Sequence, residues 1–137
     1  MRCINHHYSI KFEPVFDFDY SYVNGPVSYN GYQQIEKEIP LLSIRLRDNT
    51  GSRQVIYTLN NKTYMSCLVS IQWLLDETRL HCVVTFRSQH EIYGKPMDSE
   101  LIKYWCTDML ARLKYYNVNV DQCLIDVTVG DYHNHIF

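Results

Sequence analysis

Leu80, Cys82, Val84 and Phe86 alternate with His81, Val83, Thr85 and Arg87, the two-residue period of a strand with one buried face. The pattern predicts a strand over residues 78–88 (TRLHCVVTFRS), with Arg87 leaving the sheet on the face opposite Phe86. Residues 53–60 (RQVIYTLN) and 64–75 (YMSCLVSIQWLL) are rich in β-branched and aromatic residues and read as two more strands, the second joined to 78–88 by a turn at Asp76 and Glu77. The period changes over 99–116. There Leu101, Ile102, Trp105, Met109, Leu110 and Leu113 recur at helical spacings, while Lys103, Asp108, Arg112 and Lys114 mostly take the other face. Residues 122–132 (QCLIDVTVGDY) form a last strand.

The first 32 residues set Phe16, Phe18, Tyr20 and Tyr22 beside turn signals at Asn24-Gly25-Pro26 and Asn30-Gly31, which predicts short extended pieces joined by turns. A short helix is expected over 32–39. Pro40 lacks an amide hydrogen and ends or kinks it, and Asp48-Asn49-Thr50-Gly51 is a turn. Three or four strands on one long helix make an α+β domain with the helix on one sheet face. The other face needs cover, and no second long amphipathic helix is evident to supply it.

The chain of 137 residues is read as a single domain over 1–137, without internal repeats. Its 13 basic and 15 acidic side chains leave a net charge of −2, so neither a nucleic-acid polymer nor a membrane is expected as partner. Five cysteines (Cys3, Cys67, Cys82, Cys106, Cys123) without a CxxC pair, and no long apolar run, point to a reducing cytoplasm. None of the six histidines pairs with a cysteine at zinc-ligand spacing, so no metal is expected, although His133 and His135 share a strand face.

Four stretches carry candidate chemistry: Ser52 to Asn60; Cys67 with Gln72; Arg87-Ser88-Gln89-His90 followed by Gly94, Pro96 and Asp98; and Gly130 to His135. In order and in the separations from Cys67 to Arg87, Gly94 and Asp98, the chain from about Asn24 onward resembles the thymidylate synthase and deoxycytidylate hydroxymethylase family. The resemblance implies a thymidylate synthase-like α+β core, a mixed sheet on one long helix, with the second sheet face in a homodimer interface. It makes Cys67 the candidate nucleophile toward C6 of a pyrimidine nucleotide. Such a nucleophile needs a thiolate, and Arg87 is a source of the lowered pKa. Arg87 and Ser88 match phosphate-binding residues, Arg53 matches an arginine reaching the phosphate of the partner subunit, and Gln72 and His133 complete the nucleotide site, His133 at the sugar hydroxyl. A guanidinium fork suits phosphate. Asp98 stands where the synthases carry a uracil-reading asparagine and the hydroxymethylases an aspartate, and a carboxylate that accepts from an exocyclic amine tilts the preference to cytosine.

The departures weigh more. Gln54 replaces a second arginine, Ser66-Cys67-Leu68 replaces Pro-Cys-His, His90 replaces a folate-contacting aspartate and His135 a tyrosine. The family's N-terminal segment, with its catalytic glutamate, and its C-terminal cofactor-closing segment are expected to be missing from a trimmed chain. The leading expectation is therefore a catalytically silent, viral or phage-like member acting through self-association or another protein, with retained pyrimidine nucleotide binding and no cofactor. The alternative is a working minimal deoxycytidylate hydroxymethylase or pyrimidine nucleotide C5-methyltransferase using 5,10-methylenetetrahydrofolate, in the cytoplasm of the host for a viral source. Read without the family register, Cys67 is a small buried hydrophobe, Arg87 a solvated or ion-paired strand end, Asp98 an N-cap, and His133 and His135 surface residues near a terminus. The twelve tyrosines suit an interface as well as a core.

Overall fold

The computed structural model describes residues 1–25, 27–49, 55–59 and 67–135. Its strands are β1 (Arg2–Lys11), β2 (Val23–Asn24), β3 (Val27–Ser28), β4 (Ile56–Thr58), β5 (Leu68–Asp76), β6 (Arg79–His90) and β7 (Gln122–His133); its helices are α1 (Gln33–Asp48), entered through a 3-10 turn at Asn30–Tyr32, and α2 (Lys95–Tyr115). One five-stranded sheet runs in the order β1-β7-β6-β5-β4. β6 and β7 are parallel, as neighbours joined through a crossover helix must be, and the other pairs are antiparallel. The sheet is mixed and the fold α+β.

The alternation in β6 is realised as predicted. Leu80, Cys82, Val84 and Phe86 are buried together with Ile71 and Trp73 of β5 and Ile125, Val127 and Val129 of β7. They meet Leu101, Ile102, Trp105, Met109 and Leu113 of α2 and Ile35, Ile39, Leu42 and Leu46 of α1 in one core. The opposite sheet face carries His81, Val83 and Thr85 beside Leu124, Asp126 and Thr128. Among the described residues these are half-buried or exposed.

Several boundaries differ from the sequence reading. The helix expected over 32–39 runs through Pro40 to Asp48, because Ile35, Ile39, Leu42 and Leu46 form one apolar stripe whose burial outweighs the hydrogen bond that Pro40 cannot donate. This second helix joins the same core as α2, so the far sheet face stays uncovered among the described residues. Helix α2 starts at Lys95, with Pro96 in its first turn and Gly94 as N-cap without a capping side chain, so Asp98 lies inside the helix and is not its N-cap. It ends in a Schellman turn, Val118 N–H donating to Leu113 and Asn117 N–H, at φ +61°, to Lys114.

The largest difference is at the N-terminus, where β1 is a ten-residue strand paired along its length with β7. Only the segment after it matches the expected short pieces and turns. That segment lies on α2 as an aromatic strap: the Trp105 indole donates to Tyr20 Oη at 2.9 Å, and Tyr20, Tyr29 and Tyr32 are buried. These tyrosines therefore build core. The strand predicted over 53–60 is seen as Ile56–Thr58 and that over 64–75 begins at Leu68, while Arg53, Gln54 and residues 60–66 lie outside the described residues.

Candidate nucleotide site

At one end of the sheet the strands leave their regular alternation together. The β5–β6 register shifts between Leu68 and Ser70. Phe86 is buried, Arg87 exposed, then Gln89 and His90 are both buried; in β7 Val129 is buried, Gly130 exposed, then Tyr132 and His133 are both buried. Opposite Gly130, Asn5 of β1 has φ +55°. The β6–β7 pairing keeps its register across this point, yet the burial phase of both strands changes, and Gln89 turns toward Asp98 of α2. Position 130 favours glycine, since a Cβ there would lie 3.0 Å from the Arg87 carbonyl oxygen and the backbone would have to give by a few tenths of an ångström.

The irregularity gathers the predicted residues. Arg87 N–H donates to the Cys67 carbonyl at 2.8 Å. The half-buried Cys67 thiol is pushed up in pKa by burial, pulled down by the Arg87 charge, and pushed up by Asp98, with a net upward result. Cys67, Arg87 and Asp98 therefore converge, but the guanidinium does not win and the thiol stays protonated at neutral pH. The expected activation by Arg87 is outweighed by desolvation.

Asp98 is 5% exposed and accepts from Gln89 Nε2 at 2.9 Å. Burial pushes its carboxyl up to about 6, against the opposing hydrogen bonds from Gln89 and Tyr29. Behind Gln89, the Tyr8 hydroxyl donates to Oε1 at 2.7 Å. Burial raises the pKa of both phenols, Tyr8 and Tyr29. Lys95 Nζ sits 4.4 Å above the Tyr8 ring. Tyr8 and Tyr29 were not singled out from the sequence, and Gln89 stood in the Arg87-Ser88-Gln89-His90 stretch without a role. The available signal was the alternation Ile4, His6, Tyr8, Ile10, which places Tyr8 on one face of a strand.

Ser88 and His133 also meet, through a hydrogen bond of 3.3 Å between Oγ and Nε2; burial lowers the His133 pKa and favours the neutral ring. The His133 and His135 rings are stacked at 5.2 Å, and no group of three metal-ligating side chains is found among the described residues. Gln72 is placed elsewhere. It lies between Ile71 and Trp73, which face the helices, so it stands on the open face of the sheet, opposite Val83 and Ile56.

His90 ties the end of β6 together. Its Nδ1 accepts from the Ile92 and Tyr93 amides, both at 3.1 Å, which puts the proton on Nε2, and Nε2 donates to the His135 carbonyl at 2.9 Å. The ring is engaged within the fold and offers no carboxylate to a folate, so this position does not fit that cofactor as the resemblance implies. No helix among the described residues is long and apolar enough to cross a membrane.

No protein-family profile matches the chain, and no curated protein matches it. Among solved structures, a thermostable thymidylate synthase A from Bacillus subtilis superposes with a TM-score of 0.54 at 20% sequence identity, covering 69% of this chain and 35% of that enzyme. The chain thus spans about a third of the enzyme's length. The mixed five-stranded sheet with two helices on one face is a thymidylate synthase-like fold.

Proposed function

We propose that this chain binds pyrimidine nucleotides without transforming them, and acts as a homodimer through the open face of its sheet. The apolar setting of Cys67, half-buried beside the buried Leu68 with burial acting on the thiol against the Arg87 charge, carries this reading. Addition to C6 of a pyrimidine needs a thiolate, and burial outweighs the one guanidinium that could supply it. Arg87, bonded to the Cys67 backbone, and Ser88, bonded to His133, supply a phosphate grip, Asp98 an acceptor for the base, and His133 a contact for the sugar. Leu68, in place of the family's histidine, is buried and adds no proton-transfer group next to the thiol. The engagement of His90 within the fold agrees with binding that needs no folate. A reducing cytoplasm suits the free thiols of Cys82 and Cys106 in the core.

Calorimetry with dCMP and dUMP, paired with tritium release from C5-labelled dCMP in the presence of 5,10-methylenetetrahydrofolate, tests the proposal. Binding that is lost in Arg87→Ala, with no tritium release, is the expected result. Folate-dependent release abolished by Cys67→Ser would refute silence and establish a minimal hydroxymethylase or methyltransferase in its place.

A further inference from the structure

The hydrogen-bonded network behind Asp98 has a direction. Tyr8, with its pKa raised by burial, keeps its proton at any physiological pH and donates it to Gln89 Oε1 at 2.7 Å. That bond fixes the amide orientation. Gln89 Nε2 then faces Asp98 and donates to Oδ2 at 2.9 Å, and an amide nitrogen can only donate. The reverse orientation would set the amide oxygen against the carboxylate, two acceptors face to face. Tyr29, fully buried, donates to the Gly94 carbonyl at 3.5 Å and lies close enough to the carboxyl to favour its charged form. With Gln89 of β6 donating to it and itself oriented by Tyr8 of β1, Asp98 is held as an acceptor.

We infer that Tyr8 and Gln89 are positioning residues for base selection: acting through Asp98, they hold its carboxylate as an acceptor, so that the site selects a pyrimidine whose exocyclic group donates, an amino-pyrimidine, over one presenting a carbonyl. The inference rests on the nucleotide reading above. It adds to that reading two residues, one of them on the edge strand, that touch no ligand and still decide which base is taken. The titratable groups around Asp98 are Tyr8 of β1, Tyr29 and the Cys67 thiol. The nearby cations are Lys95, over the Tyr8 ring, and Arg87, which acts on Cys67.

The test uses the full chain and the variants Tyr8→Phe and Gln89→Leu. Carbon-13 NMR of the aspartate carboxyls follows Asp98 in the ligand-free protein, assigned with Asp98→Asn, and calorimetry measures dCMP, dUMP and deoxyribose 5-phosphate at pH 7.5. Loss of a donor to a charged acceptor should raise the Asp98 titration by about one pH unit in Gln89→Leu and by less in Tyr8→Phe. The dCMP-over-dUMP preference should fall about tenfold and about threefold respectively, while deoxyribose 5-phosphate affinity stays unchanged, a pattern that a general loss of structure would not give. Should Gln89→Leu fail to fold, Tyr8→Phe decides, since it keeps the ring and removes one hydroxyl. An unmoved Asp98 titration or an unmoved base preference in Tyr8→Phe, with nucleotide still bound by the wild type, overturns the inference alone. No binding of either nucleotide by the wild type overturns the nucleotide reading and the selection role together.

Discussion

Replacing Asp98 by asparagine should stabilise this protein at neutral pH. The Asp98 carboxyl titrates at about 6 in the fold against an ordinary 3.8, because burial penalises its charged form more than Gln89 and Tyr29 relieve it. The folded state therefore holds this proton more tightly than the unfolded chain does. The stability that the group contributes is complete below about pH 3.8 and is lost as pH rises through about 6. At ~1.36 kcal/mol per pH unit, the gap between 3.8 and about 6 makes the ionised form cost about 3 kcal/mol above pH 7. Asparagine carries no charge, but it offers one acceptor oxygen where the carboxylate offers two, which leaves one of its two donors weakened at about 1 kcal/mol. The net gain is about 2 kcal/mol at pH 8, or about 7 °C in Tm for a chain of this length. Urea titrations at pH 4, 5, 6, 7 and 8, followed by the fluorescence of the buried Trp73 and Trp105, measure the difference directly. The advantage of Asp98→Asn should shrink from pH 8 downward and reverse by about half a kcal/mol near pH 4, where the folded carboxyl is protonated and the unfolded one about half ionised. An Asp98→Asn protein that is less stable than wild type at pH 8, or a difference that does not vary between pH 4 and 8, would show that the carboxylate is comfortably ionised in its pocket and would refute the desolvation argument.

Three further outcomes follow from the packing. Pro40→Ala restores an amide that can reach the Glu36 carbonyl within α1 and should raise stability by about 1–2 kcal/mol after the loss of proline's stiffening of the unfolded chain; no change in the urea midpoint would mean that the packed helix is already bent around position 40. Gly130→Ala places a methyl 3.0 Å from the Arg87 carbonyl and should cost about 1–3 kcal/mol, with dCMP affinity falling as Arg87 is displaced. An unaltered melting temperature and affinity would show that the β6–β7 irregularity does not depend on glycine. Leu124→Glu puts a charge at a side chain 41% exposed on the open sheet face, and sedimentation velocity should find a monomer where the wild type is a dimer; a wild-type monomer at tens of micromolar, or a dimer in both proteins, would place self-association elsewhere or nowhere.

Much of the fold was legible because periodicity and burial agree. Leu80 to Phe86 and Leu101 to Leu113 show clean periods of two and of about three and a half, and both point at the same core. Where two local signals conflicted, the sequence alone could not rank them. Pro40 breaks a helix locally, whereas Ile39, Leu42 and Leu46 bury a stripe that only a continuing helix can align. In β1 the polar run from Asn5 to His7 and the left-handed Asn5 mask a two-residue alternation that becomes visible only against β7, where Tyr8 pairs with Val127 and Ile10 with Ile125.

The site was legible in its residue types and not in its electrostatics. Spacing brings Cys67, Arg87 and Asp98 within reach of one another, but no spacing states how much water each keeps. That quantity decides whether a cysteine beside an arginine is a thiolate. Here Cys67 keeps too little, since its burial acts more strongly on the thiol than the adjacent cation does. The same desolvation acts on Asp98, yet there the fold supplies donors, from Gln89 and Tyr29. Gln89 comes into position because the alternation fails after Arg87 and Gly130, a local defect that a period-two reading smooths over. A regular strand would send Gln89 to the open face and leave Asp98 with one donor fewer. The regular alternation exposes Arg87, as a group gripping a phosphate must be, and the break after it sinks Gln89 behind the acid, as a group positioning that acid must be.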